Sequence, residues 1–165
     1  MLFRSDDIAL DDIAEIVCSV GEGTVRRLWE PLASKHRPLT PYAAKFSTPY
    51  CMAVGFVDGR AGFDQFTDER IHDPAVLALA AKIRYVVDPD NPYPRRFTGH
   101  LRARLKNGTE REYHQPFMRG GADAPLSRAD IEAKFRDNAR YGGWPPARAE
   151  RMIDGSRELF SRPTV

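Results

Sequence analysis

The run Lys45-Phe46-Ser47-Thr48-Pro49-Tyr50 brings an ammonium, a hydroxyl and a phenol close together in the chain. Those groups suit a bound anion: lysine as a point charge, and serine through its hydroxyl and the N–H groups near it. Placement matters as much as type. Thr40 before Pro41 reads as a helix cap and first helical residue, and Ser47 with Pro49 reads as a second helix start. A proline inside the first helix would remove a hydrogen bond, so the chain restarts there. Ser47 and Tyr50 then stand at a helix N-terminus, where free N–H groups and the dipole favour an anion. Each residue also has a plainer reading. Tyr50 suits the core face of the apolar helix that follows, Lys45 suits a solvated turn, and Ser47 is first of all a cap.

Other reactive side chains form weaker patterns. Arg119-Gly120-Gly121 offers a cation beside backbone that can approach a ligand closely, or simply a flexible loop. His36, His72, His100 and His114 share no ligand spacing, although a hairpin would set His100 near His114. No metal site is expected. Cys18 and Cys51 lack a CxxC pattern and read as free, mostly buried thiols, with a disulfide the weaker alternative. Nothing in the spacing sets two carboxylates together as an acid and base pair.

The elements that must position these groups follow from periodicity and turn signals. Alternation over 13–20 reads as a first strand, broken by Gly21 and Gly23, and 25–29 reads as either a short helix or extended chain. A helical block over 41–57 ends at Asp58-Gly59, and Asp73-Pro74 opens a helix to about Lys82. Ile83 to Val87 is a β-branched and aromatic strand. A hairpin follows around Asn107-Gly108. A two-residue loop would set Arg104 against Arg111, whereas Lys106-Asn107-Gly108 as the loop sets Arg104 against Glu110, Arg102 against Glu112 and Leu101 against Tyr113, with Gly108 left-handed. The three-residue loop is preferred. Ser127 caps a helix that should bury Ile131, Phe135 and Ala139, and a last helix runs from Pro146. Strands and helices that do not alternate strictly predict an α+β fold: a two-layer sandwich whose mostly antiparallel sheet of about four strands carries helices on one face.

Several of these stretches occur together in one known family. Arg37-Pro38-Leu39-Thr40, Ala44 to Tyr50, Asp73-Pro74-Ala75-Val76, Arg119-Gly120-Gly121, and Pro125-Leu126-Ser127 leading to Lys134-Phe135-Arg136 resemble, in order and spacing, the MmgE/PrpD family. That family includes 2-methylcitrate dehydratase, cis-aconitate decarboxylase and iminodisuccinate epimerase. The resemblance implies the family's C-terminal domain over the whole of 1–165, with the large N-terminal helical domain of its members absent. It implies cofactor-independent lyase or isomerase chemistry on a citrate- or aconitate-like polycarboxylate, with Tyr50 catalytic and Lys45, Ser47 and Arg119 binding substrate. The general base is drawn, in the family, from the helical domain. A lone chain is therefore expected to be inactive. The alternative is a stand-alone small-acid binding module or a truncated remnant.

Composition sets limits on partners. A formal charge of +2 is small for 165 residues, and the arginines are interleaved with acids, so no nucleic-acid footprint is expected. No apolar run approaches the roughly 20 residues that span a bilayer, and Arg4, Asp6 and Asp7 interrupt any leader, so a cytoplasmic protein without membrane contact is expected. Surface left by a missing helical domain should favour that domain or a second copy as partner, with Trp29, Phe117 and Trp144 exposed. Tyr50 and Lys45 should lie together at one exposed edge beside a concave apolar surface.

Overall fold

The computed structural model describes residues 8–161, with the side chains of Phe160 and Ser161 left aside. They form two compact units, one reaching to Ala124 and one starting at Pro125. In the first, β1 (Ile13–Val20) leads through α1 (Glu22–Leu28), α2 (Leu32–His36), α3 (Pro41–Ala44), α4 (Thr48–Asp58) and α5 (Pro74–Ala80) to β2 (Ile83–Val87). The hairpin of β3 (Gly99–Leu105) and β4 (Glu110–Gln115) completes a four-stranded sheet in the order β2-β1-β3-β4. The fold is α+β, and the sheet is mostly antiparallel with one parallel pair, β1 with β2.

The hairpin has the register that charge complementarity requires. Arg104 faces Glu110, Arg102 faces Glu112 and Leu101 faces Tyr113, and Gly108 has φ 86°. Only a residue without Cβ takes that φ cheaply. The sheet has one dry and one wet side. Ile16, Cys18, Ile83, Ala103 and Leu105 enter a core with Tyr50, Ala53, Val54, Val76 and Leu79 of α4 and α5. On the wet side Glu15 accepts from Arg84 at 3.2 Å and pairs with Arg104 at 3.5 Å. A register shift between Ile13 and Glu15 lets both Ile13 and Ile16 point into the core, which strict alternation would forbid.

Capping explains how the helices divide. Thr40 accepts from the Ala43 N–H, Ser47 from the Tyr50 N–H, and Asp73 from the Ala75 and Val76 N–H groups, each just before a proline-led first turn. Gly59 at φ 70° closes α4. The open choice over 25–29 resolves as helix for 25–28.

The second unit is a pair of helices, α6 (Arg128–Tyr141) and α7 (Pro146–Ser161). Ser127 and Asp130 cap α6 reciprocally. Glu132 is buried and accepts from Arg157 at 2.6 and 2.9 Å and from Arg128 at 3.0 Å. Hydrogen bonds from Arg157 and Arg128 pull its carboxyl down to about 2. Here the expected burial of Ile131 needs correction. Ile131 is 55% exposed, Phe135 is half-buried and stacks edge-on to Trp144, and Glu132 takes the inward position instead. A buried acid ringed by arginines satisfies its charge, so a charged residue can outcompete an apolar neighbour for that site.

Candidate functional site

Helix α4 carries the chemistry read from the sequence, and its two faces do different things. One face turns Pro49, Tyr50, Ala53 and Val54 into the core. The Tyr50 side chain is fully enclosed; its hydroxyl donates to the Gln65 carbonyl at 2.7 Å and its ring packs on Phe66. Burial pushes the phenol up to about 12, with Arg70 pulling the other way. Around it Arg70 bridges Asp58 and Asp73, and the Gln65 amide donates to Asp58 at 3.0 Å. This web ties the end of α4 to the start of α5.

The expectation that Tyr50 and Lys45 share an exposed edge is therefore corrected. Lys45 is exposed, with its ammonium 5.4 Å from the Phe63 ring centroid, while Tyr50 lies inside. Ser47 is buried and doubly used, donating to the Lys35 carbonyl and accepting from the Tyr50 N–H at 3.0 Å. The lysine locked in this region is Lys35, whose ammonium donates to the Arg27 and Phe46 carbonyls at 2.7 and 2.8 Å. Arg119 is exposed in the loop after β4, beside Gly120 at φ 92°. The structure thus joins Ser47 to Tyr50 through a cap and sets Lys45 one turn away with its charge outward.

The other face of α4 presents Thr48, Cys51, Met52, Gly55 and Phe56 to a cavity of about 400 Å³. Its opposite wall is the dry side of the sheet at Cys18, Val20, Leu101 and Tyr113, and Leu28 of α1 with Trp29 just after it closes one end. The segment 91–98 straps the mouth. It can lie so close because Gly21 and Gly23 lack side chains: a Cβ would fall 2.7 Å from the Tyr93 Cβ at Gly21 and 2.5 Å from its ring at Gly23. Tyr93 in turn stands edge-on to Phe97. Trp29, expected at the surface, is 2% exposed and packs on Tyr85 at the cavity's end. Phe117 and Trp144 are half-buried.

The cavity holds little reactive chemistry. Its described lining contains no carboxylate. Burial raises the Cys18 thiol to about 12 and the Cys51 thiol to about 11, so neither is a nucleophile near neutrality. Cys18 donates to the Met52 sulfur at 3.4 Å. His100 at the rim is 2.7 Å from Glu112, whose carboxyl this hydrogen bond holds low, and its ring stacks edge-on to His114. No group of three or more metal-ligating side chains occurs among the described residues. The sequence reading missed this cavity. Its signals were the two glycines after β1 and the proline-flanked Tyr93, which mark a close chain approach, and Gly55 within an apolar helix.

A buried tyrosine anchored by a capping serine, on a helix wedged between an α+β sheet and a second helix, defines a small domain class. The family model for the MmgE/PrpD C-terminal domain matches residues 2–158, and the chain belongs to that family. Its sequence is similar to cis-aconitate decarboxylase of Mus musculus, 30% identical over 104 residues covering 62% of this chain and 21% of the relative. The corresponding enzyme of Homo sapiens is 29% identical over 103 residues, with the same coverage. The chain thus spans about a fifth of the length of the curated relatives it matches. No helix among the described residues is long and apolar enough to cross a membrane.

Proposed function

We propose that this chain forms the C-terminal part of a cofactor-independent lyase or isomerase acting on a citrate- or aconitate-like polycarboxylate, and that it does not turn over by itself. The observation that carries the reading is the family match over nearly the whole chain, joined to similarity with two cis-aconitate decarboxylases. Dehydration, decarboxylation and epimerisation of such acids share a proton removed or delivered beside a carboxylate. That step needs cations to hold the carboxylates, a base and an acid in one place.

Within this reading Lys45 and Arg119, both exposed, supply charge to the substrate. Ser47 and Tyr50 hold the start of α4, and Tyr50 acts as a proton donor only where packing of a further domain opens its enclosure. The base comes from the helical domain that family members carry, whether on the same polypeptide or another. Purified chain is assayed with 2-methylcitrate, cis-aconitate and citrate. No turnover above background is expected, and robust turnover of any of them would overturn the reading.

A further inference from the structure

The cavity on the far side of α4 from Tyr50 takes no part in the reading above. Its floor is closed by buried Cys18, Trp29 and Phe56, and its size falls in the range of small-molecule sites, with apolar walls and few polar groups. Gly55 singles it out. A glycine inside a helix weakens it relative to alanine, so its presence asks for a reason. Positive φ is not the reason, since Gly55 is not among the left-handed glycines. Crowding is not the reason either, because a Cβ there would meet no atom within 4 Å. What the missing side chain does is keep the cavity open. Arg96 lines the cavity and is exposed; its guanidinium lies 5.6 Å from the Phe117 ring centroid, in a neighbouring cleft that also holds Asp123, and forms no ion pair with a described carboxylate.

We propose that this cavity binds a small monocarboxylate with an apolar body, such as a medium-chain fatty acid or an arylalkanoic acid. The body lies against Trp29, Met52 and Leu101, and the carboxylate meets Arg96 once its long side chain swings from Phe117 toward the cavity. A polycarboxylate does not suit it, because its inner charges would lose water against apolar walls without partners.

The test uses the full chain with Trp144→Phe, so that Trp29 is the sole fluorescent reporter. Butanoate, hexanoate and octanoate are titrated, with octanol and citrate as comparisons. Binding should tighten about fourfold for each methylene buried, the factor given by the transfer free energy of one such group. Octanol should bind about fivefold more weakly than octanoate, as loss of one partly exposed ion pair implies, and Arg96→Gln should erase that difference. Gly55→Ala, which adds one methyl to the cavity, should weaken octanoate binding, though less than a larger side chain does. Gly55→Leu, which fills the cavity, should bind octanoate more than tenfold more weakly without a fall in thermal midpoint. If the leucine variant does not fold, Gly55→Val takes its place. A response independent of chain length, or undiminished binding by the cavity-filling variant, would overturn the proposal.

Discussion

Replacing Ser47 by alanine separates the anion-binding reading of this residue from the capping one. The structure gives its hydroxyl two tasks, accepting from the Tyr50 N–H and donating to the Lys35 carbonyl, and leaves it buried. Loss of a serine cap costs about 1 kcal/mol. The Lys35 carbonyl, deprived of its donor, adds about 1 kcal/mol. The sum of about 2 kcal/mol should lower Tm by roughly 4–8 °C for a chain of this size. Urea unfolding followed by circular dichroism, together with a thermal scan, measures both. Ser47→Asp refines the test: it keeps the capping oxygen but sets a carboxylate against the Lys35 carbonyl, so it should rescue little. A loss under about 0.5 kcal/mol for Ser47→Ala, within the range of ordinary surface substitutions, would refute the reasoning.

Three further outcomes are expected. Tyr50→Phe should cost about 1–2 kcal/mol, because the Gln65 carbonyl loses its buried donor. The folded phenol lies above its ordinary 10, so its contribution is whole below that pH and is lost as pH rises toward 12; alkaline unfolding curves of parent and variant should therefore converge. Cys18 and Cys51 should resist alkylation at about pH 8 in the native chain and react fully in denaturant, and fast native labelling of Cys18 would contradict its burial. Glu132→Gln should destabilise the α6 and α7 pair at neutral pH. Because the Glu132 carboxyl is held below its ordinary 4.5, the gap to the parent should narrow as pH falls from there to about 2, and a constant gap in acid titration would count against the arginine cluster.

Local rules carried much of the fold. The β3 and β4 register was legible because only one loop length pairs Arg102 and Arg104 with acids, and the starts of α3, α4, α5 and α6 were legible because Thr40, Ser47, Asp73 and Ser127 each precede a helical pattern. The parallel pairing of β1 with β2 had no local signal, since Ile83 to Val87 is apolar or aromatic at four of its five positions and can pair in either direction. The rotation of α4 was illegible for a related reason. Tyr50, Ala53 and Val54 on one side and Cys51, Met52 and Phe56 on the other are all apolar enough to face a core, so periodicity does not choose between them. Trp29 was placed outside on size and expectation of a missing partner, whereas its contact with Tyr85 depends on a strand far along the chain. The cavity itself arises from what is lacking at Gly21, Gly23 and Gly55, and a missing side chain announces a turn as readily as a binding site.

The central claim is that this chain is one part of a catalytic unit whose base lies elsewhere. The direct measurement is reconstitution: the chain is titrated into a fixed amount of a separately expressed helical domain from a relative, and cis-aconitate consumption is followed together with mass in solution. The account predicts no turnover by either part alone and turnover that rises with the complex and saturates when the helical domain is fully bound. Turnover by the chain alone, or a stable complex that consumes neither cis-aconitate nor 2-methylcitrate nor citrate, would contradict it.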